Sequence, residues 1–552
     1  MKKSTKILAV MSTAAVMAIG ASMTSMAATG WVQENGSWVF YNSSGDYVTD
    51  SWQKSGDYWF YLDEDGYIAT DSIISYNDNY YYVNGDGVMI TNSWIEVENE
   101  NAGEDGEPDT LWYYFQSNGK AYKKSESSTS ISLKTINGKK YAFDEDGHML
   151  FGWVNTAGEM VTDSSAFESC DYYFGTSDDG AMSVGWVEIG LTDVTIDANE
   201  MPAPDYWDTD QTRWFYFQSS GKKVKDNTNK SINGKRYGFD EYGRMIASWY
   251  ATESYLSSAS EYMYFSTPED GARYTKGWFK VVPSYYLNQE DYDDGAEYWY
   301  YAGTGGKIYT SAIKSINSKK YAFDANGRML SGLVLLKMVV DDAGTVSTTD
   351  IDTIYDSDDN VYGYETIEKF NATCVALADE LASGEYAFYY FSGDAASDGS
   401  MKTGSQTIEI DGESVTFSFK SSGSTKGQGL NGVSSSKIYV GGKLLKADSD
   451  DKVNIVVKTA TDTGKGYTYT LYSAESFVSN AVALGYTVDT SKSTTDEDVW
   501  TITGATEDSI YVINTSGSIL TSGNRKDGND YRIYSKADGV TLYRGVEITL
   551  DK

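Results

Sequence analysis

One period constrains this 552-residue chain more than any other feature. Trp31, Trp52, Ile73 and Trp94 stand 21 residues apart, and so do Trp38, Trp59 and Tyr80, and Gly45, Gly66 and Gly87. Three columns holding one period without a gap mean that a small structural unit is repeated. Inside the unit, Trp38-Val39-Phe40-Tyr41 and Trp59-Phe60-Tyr61-Leu62 are aromatic and β-branched runs that suit strands. Asn42-Ser43-Ser44-Gly45 and Asp63-Glu64-Asp65-Gly66 are turn clusters whose glycine can take a positive φ. The unit is therefore a short β-hairpin followed by a loop that ends on Trp. A lone hairpin is marginal in water, so successive hairpins must stack and bury each other's rings. The expected fold is all-β, a β-hairpin solenoid of tandem ~20-residue repeats.

The period loosens along the chain. Regular repeats fill 29–95, and a longer composite block of two hairpins then recurs through 96–334, opening at Trp112, Trp214 and Trp299. Its second hairpin carries an Ile-Asn-Gly-Lys-like turn, then Tyr-x-Phe-Asp and Gly-x-Met. Acidic insertions at 96–109, 192–211 and 285–295 are expected between repeats, where an array tolerates extra loop. Beyond about Leu335 the repeat tryptophans disappear. Residues 335–552 read either as degenerate repeats or as a separate β-rich domain, with one or two short helices. Ile367, Phe370, Cys374, Leu377 and Leu381 have helical spacing, and 473–484 reads as a second helix.

The first 28 residues read as a signal peptide. Lys2, Lys3 and Lys6 precede an apolar stretch from Ile7 to Ala21, and Ser25-Met26-Ala27-Ala28 supplies the small residues of a cleavage site. The apolar run is too short for a membrane span. Secretion is therefore expected, and if the chain stays on a cell surface it must be held there non-covalently. The formal charge is −36, and loss of those three lysines takes it to −39. Such a field makes nucleic acid and anionic membranes poor partners. Two cysteines, Cys170 and Cys374, are too few for a disulfide scaffold, and whether they pair is open.

Little here suits catalysis. The one histidine, His148, occupies a turn position where Arg244 and Arg328 stand in sister copies, so it reads as a solvated turn residue. Without a second histidine, Ser-His-Asp and zinc-peptidase sites are nearly excluded. Carboxylates abound, but nearly all fall in turns or insertions, where they are expected to be exposed. Asp63-Glu64-Asp65-Gly66 lacks the glutamate that closes a calcium loop, since Ile74 stands there. The expectation is no enzyme, no metal and no cofactor, with an enzyme hidden in 335–552 as the remote alternative.

The Gly-Trp columns resemble the cell-wall-binding repeats of the choline-binding family, at Gly30-Trp31 through Trp94 and at Gly152-Trp153, Gly185-Trp186 and Gly277-Trp278. The Ile-Asn-Gly-Lys-Lys-Tyr-Ala-Phe-Asp-Glu-Asp-Gly stretch is also similar to repeats of glucan-binding proteins and of clostridial toxins. The first resemblance implies a cage between neighbouring hairpins that holds choline. By position, one cage would use Trp31, Trp38 and Tyr61, and the next Trp52, Trp59 and Tyr82, with Trp94, Trp153, Trp186 and Trp278 serving later ones. A quaternary ammonium cannot donate a hydrogen bond, so ring faces must hold it. Ile73 and Leu333 replace tryptophans of the column, and the seam at Ile73 should be weak. Each Trp also has a plain reading as solenoid filling. The implied partner is choline-decorated teichoic acid or a similar wall polymer. A glucan- or host-glycan-binding adhesin is the alternative.

Overall fold

A computed structural model describes residues 29–104, 106–191, 212–251, 259–354, 366–392, 398–504, 509–521, 523–536 and 539–545. The expected signal segment and the insertion at 192–211 lie outside the described residues. The chain divides into two compact units. The first runs to Ile246 and includes Pro268–Ala272; the second holds Ala247–Thr267 and the chain from Arg273 onward.

The first unit is a series of two-stranded antiparallel hairpins, among them Gly30–Glu34 with Ser37–Tyr41, Ser51–Ser55 with Tyr58–Leu62, and Ser93–Glu98 with Thr110–Phe115. Register places each Gly-Trp tryptophan opposite an aromatic residue: Trp31 faces Phe40, Trp52 faces Tyr61 and Trp94 faces Tyr114. After the second strand an Asn or Asp side chain builds the turn. The Asp63 carboxylate accepts from the Asp65 and Tyr67 amides at 3.0 and 2.8 Å, and the Gly66 amide closes on the Asp63 carbonyl. This is the turn chemistry of an Asx residue, with glycine taking φ +83°.

What stacks the hairpins is one recurring backbone bond. The residue two past each turn glycine donates its amide to a carbonyl in the preceding hairpin. Ile68 donates to Trp38 at 2.9 Å, Met89 to Trp59 at 2.8 Å and Met149 to Trp112 at 2.8 Å. The same residue's side chain lies over the next turn glycine. A Cβ on Gly119 would fall 2.5 Å from the Met89 sulfur, and one on Gly180 would fall 2.3 Å from that of Met149. Glycine is favoured at these positions by its positive φ, and a Cβ there would also force the overlying methionine to shift.

The acidic insertions do not separate repeats. Residues 99–109 join the two paired strands Ser93–Glu98 and Thr110–Phe115, and the strands flanking 192–211 and 285–295 likewise pair with each other. Extra residues are accommodated at these hairpin tips with the strand pairing and the stacking bond both kept: Met149 still donates to Trp112, Met245 to Trp214 and Met329 to Trp299.

The second unit begins with the same hairpins, Ser248–Ala251 with Tyr262–Phe265 and Gly277–Val281 with Tyr298–Ala302. It then passes into three- and five-stranded antiparallel sheets. The stacking bond persists there: Met401 donates to Lys320, Gly429 to Phe388 and Ile519 to Ser436, each at 2.8 Å. The described residues beyond Leu335 thus carry the same inter-hairpin bond on longer strands. Helices form at Ile367–Ala376, Ala378–Ser383 and Ala474–Asn480, with Thr366 and Ser473 as side-chain N-caps. Phe370, Cys374 and Leu381 are buried against Phe388 and Phe417. The chain is all-β with short helices, as the repeat requires.

Candidate functional site

The stacking bond leaves a ring-lined seam between neighbouring hairpins, and four seams share one composition. Each has a Gly-Trp-column tryptophan, a tryptophan from the start of the hairpin's second strand, a tyrosine from the next hairpin and the methionine past its turn. The sets are Trp52, Trp59, Tyr81 and Met89; Trp94, Trp112, Tyr141 and Met149; Trp186, Trp214, Tyr237 and Met245; and, within the second unit, Trp278, Trp299, Tyr321 and Met329. In all four the methionine amide bonds to the carbonyl of the second tryptophan at 2.8 Å.

Ring geometry repeats with the composition. Trp94, Trp186 and Trp278 lie 6.5, 6.3 and 6.3 Å from Trp112, Trp214 and Trp299, with interplanar angles of 78°, 84° and 86°. The same three indoles lie 4.9, 4.8 and 4.8 Å from Tyr141, Tyr237 and Tyr321. Trp52 lies 5.1 Å from Tyr81. The outer tryptophans are half-buried or exposed, Trp59 being 40% exposed, and at that seam a groove of ≈ 790 Å³ opens between Trp52, Trp59, Tyr81 and Met89. Burial holds the Tyr81, Tyr141 and Tyr321 phenols above their ordinary value, so all three stay neutral. The four residues of each set offer ring faces and a thioether, and at the Trp59 seam Asp57 also lines the groove.

The expected cages are regrouped by the structure. Trp31 and Trp38 share a seam, but its next-hairpin ring is Phe60, 5.4 Å from Trp31, while Tyr61 packs on Trp52. At the second seam Tyr81 takes the place expected for Tyr82, which packs with Ile73 and Phe115. Adjacent strand residues point to opposite faces, so a one-residue error selects the wrong seam. Trp31 and Trp38 lie with Ile68 in place of Met. Ile73 sits in a seam without tryptophan. Trp94, Trp186 and Trp278 each anchor a complete set, and Trp153 anchors an altered one described below. Sequence reasoning missed Trp112, Trp214, Trp299 and the four methionines. The recurring Gly-x-Met triplet marks those methionines.

One column tryptophan is sealed. Trp249 is 3% exposed, and its indole donates to the Val282 carbonyl at 2.8 Å. The plain core reading holds for it.

The turn position of His148 is half-buried rather than fully solvated. Its Nδ1 lies 2.8 Å from Asp144, and its ring meets Tyr113 edge-on. Burial pushes the imidazole down, but the Asp144 carboxylate outweighs it and holds the pKa raised. Arg244 and Arg328 are buried and pair with Asp240 and Asp324, four residues earlier. These turn carboxylates are also enclosed, because the same carboxylate must accept turn amides and the cation. Burial raises both against the pull of their arginines. Cys170 and Cys374 are free, buried thiols, and burial pushes Cys374 up to about 12. Among the described residues no cluster of three His, Cys, Asp or Glu could hold a metal, and no helix is long and apolar enough to cross a membrane.

Residues 48–94 match the family model of the choline-binding repeat. Over 221 residues the chain is 23% identical to glucosyltransferase-S of Streptococcus mutans serotype c, covering 40% of this chain and 11% of that protein. The chain thus spans about a tenth of the length of this curated relative. Similar solved structures include the choline-binding domain of CbpL from Streptococcus pneumoniae, at 19% identity and TM-score 0.27, over 45% of this chain and 100% of that one. Choline binding protein F of the same species aligns at 16% identity and TM-score 0.25, over 72% and 98%. Its modular autolysin LytC, in complex with a synthetic peptidoglycan ligand, aligns at 18% and 0.30, over 56% and 55%.

Proposed function

We propose that this chain is a non-catalytic, secreted surface protein that holds choline-bearing wall polymer, such as choline-decorated teichoic acid, in its four Trp–Trp–Tyr–Met seams. The observation that supports this reading most is the recurrence of one uncharged ring set at nearly constant spacing. A hydrophobic core needs bulk at these positions, but it does not need the same three rings at the same angles. A quaternary ammonium does: each ring contributes about 0.5–2 kcal/mol through its quadrupole, and only convergent faces sum to useful binding. Retention on the wall follows from several such contacts at once.

Tryptophan fluorescence of the mature chain, titrated in parallel with choline and with soluble glucan fragments, tests the reading. A saturable change with choline, lost in Trp59→Ala for one site, is expected. No response to choline at millimolar concentration overturns it. The match to a glucosyltransferase favours glucan binding as the second reading, and a response to glucan alone would establish that instead.

A further inference from the structure

One seam of the first unit has the ring shell of a cage but carries its own cation. It lies between the hairpin Gly152–Val154 with Tyr172–Phe174 and the hairpin Gly185–Gly190 with Thr212–Phe217. Trp153 anchors it, with Tyr173 at 5.1 Å and Phe215 of the next hairpin at 5.2 Å, matching the spacings in the four complete sets. Three positions differ, the mildest being Phe215 where the sister seams carry a tyrosine. Asp171 stands where Trp59, Trp112 and Trp214 stand, and Lys223 stands where Met89, Met149 and Met245 stand. The stacking bond establishes the equivalence, since Lys223 donates its amide to the Asp171 carbonyl at 2.8 Å, as Met245 does to Trp214. The side-chain stem follows its sister residues too: a Cβ on Gly243 would meet the Lys223 stem at 3.1 Å, as one on Gly180 meets Met149.

Lys223 is 4% exposed, and its ammonium lies 5.4 Å from the centre of the Trp153 ring. It donates a hydrogen bond to the Phe167 carbonyl, presented by the short helix Ala166–Ser169. The Asp171 carboxylate is engaged by Lys225 at 3.4 Å and by Lys222 at 3.9 Å. The ring face on one side and the carbonyl on the other offset part of the cost of burying this ammonium.

We propose that Lys223 is a tethered occupant of a fifth cage: its ammonium takes the place that an external quaternary ammonium takes in the other seams, and residue 223 decides whether this seam accepts ligand. The inference rests on the reading that the seams hold ammonium cations. Two Trp-anchored seams have lost the outer tryptophan: at Trp249 the ring of Tyr262 takes that place and Ile308 the methionine's, whereas at Trp153 no ring does and the cation appears. With Asp171 in that column the wall is incomplete, and a cation covalently attached to the chain needs no third ring to stay.

The test is calorimetric titration of choline chloride into wild type, Lys223→Met and Lys223→Met/Asp171→Trp. Methionine is the residue of the sister seams and preserves the contact over Gly243. The double variant restores the full Trp–Trp–aromatic–Met set, and its stoichiometry is expected to exceed that of the wild type by one. Equal stoichiometry in a folded double variant overturns the proposal. If the double variant does not fold, Lys223→Met is judged by the same criterion, with at least a weak additional site expected. If wild type binds no choline, the functional reading fails separately. The variants still decide this seam, since one site appearing supports the tethered occupant and none overturns it.

Discussion

A buried ammonium titrates differently from one in water. Burial lowers Lys223 from 10.5 to about 8, with Lys225 pushing the same way and Asp171, Cys170 and Asp240 pulling back. At neutral pH it remains charged and carries its desolvation cost. Between about 8 and 10.5 the folded chain loses this proton while the unfolded chain keeps it, so stability rises with pH through that window. Above 10 the sign reverses for the buried tyrosines. Tyr113, Tyr264 and Tyr389 are held up to about 12 by burial, so the unfolded chain ionises first and stability falls. Lys420 and Lys443, lowered by burial, and Cys170 and Cys374, raised by it, also contribute between pH 7.5 and 9.5, but they are common to wild type and Lys223→Met and cancel in the comparison. Urea denaturation at those two pH values should show wild type gaining about 1–2 kcal/mol relative to Lys223→Met. A gap that does not change with pH would mean that Lys223 is not a buried cation.

At this scale the sequence was only partly informative. Trp31, Trp52 and Trp94 declare themselves by spacing, because large rings in one column have few other uses. Their partners do not. Choosing between Phe60 and Tyr61, or between Tyr81 and Tyr82, requires knowing which strand face meets the next hairpin, and both faces of these strands are aromatic. A pattern without polar alternation carries no record of register. Lys223 was hidden for another reason. Nothing local to Lys222-Lys223-Val224-Lys225 separates the buried lysine from its neighbours; only its offset from Gly221 does.

At the scale of the element, the hairpins are held in sequence by a side chain crossing a glycine. Gly119 and Gly138 isolate that contribution. Both have φ near +80°, so alanine costs about 1–2 kcal/mol of backbone strain at either. A Cβ at Gly138 meets nothing within 4 Å, whereas one at Gly119 would lie 2.5 Å from the Met89 sulfur and 2.7 Å from its methyl. Gly119→Ala should therefore be the more destabilising by about 1–3 kcal/mol. Shortening the crossing residue with Met89→Ala should remove most of that excess, giving non-additivity in a double-mutant cycle read by denaturant unfolding. Equal costs for the two glycines would mean that the Met–Gly crossing does not bear on stacking. The hairpin itself was legible from aromatic runs and Asn/Asp–Gly turns, since both depend on neighbours in sequence. The crossing was not, because it joins residues of different hairpins: Met89 to Gly119, Met149 to Gly180. The place of the insertions was misjudged for the same reason, as strand pairing across 99–109 is a contact between distant segments.

At the scale of the molecule, the four complete seams matter as a number. On the proposed reading each would hold one small cation through a few ring faces, and such a site is individually weak. A polymer bearing many ammonium groups would engage several sites of one chain. Each further contact is then intramolecular, raising avidity by factors on the order of 10²–10⁴ over a single site. The formal charge of −36 attracts small cations but repels an anionic polymer backbone, which concentrates the attraction in the seams. Free choline and polymer should therefore respond differently to loss of the outer tryptophans Trp59, Trp112, Trp214 and Trp299. Replacing them by alanine one at a time should lower choline stoichiometry by one at each step. Retention on choline-bearing cell walls should change little at the first replacement and collapse by the third or fourth, as the number of simultaneous contacts approaches one. Sedimentation of the variants with isolated walls, with and without competing free choline, measures both quantities. If the fourfold variant, shown to be folded by circular dichroism, sediments as wild type does, the polymer is held elsewhere on the chain. A strictly proportional decline would leave the seams as sites but would show that they act one at a time.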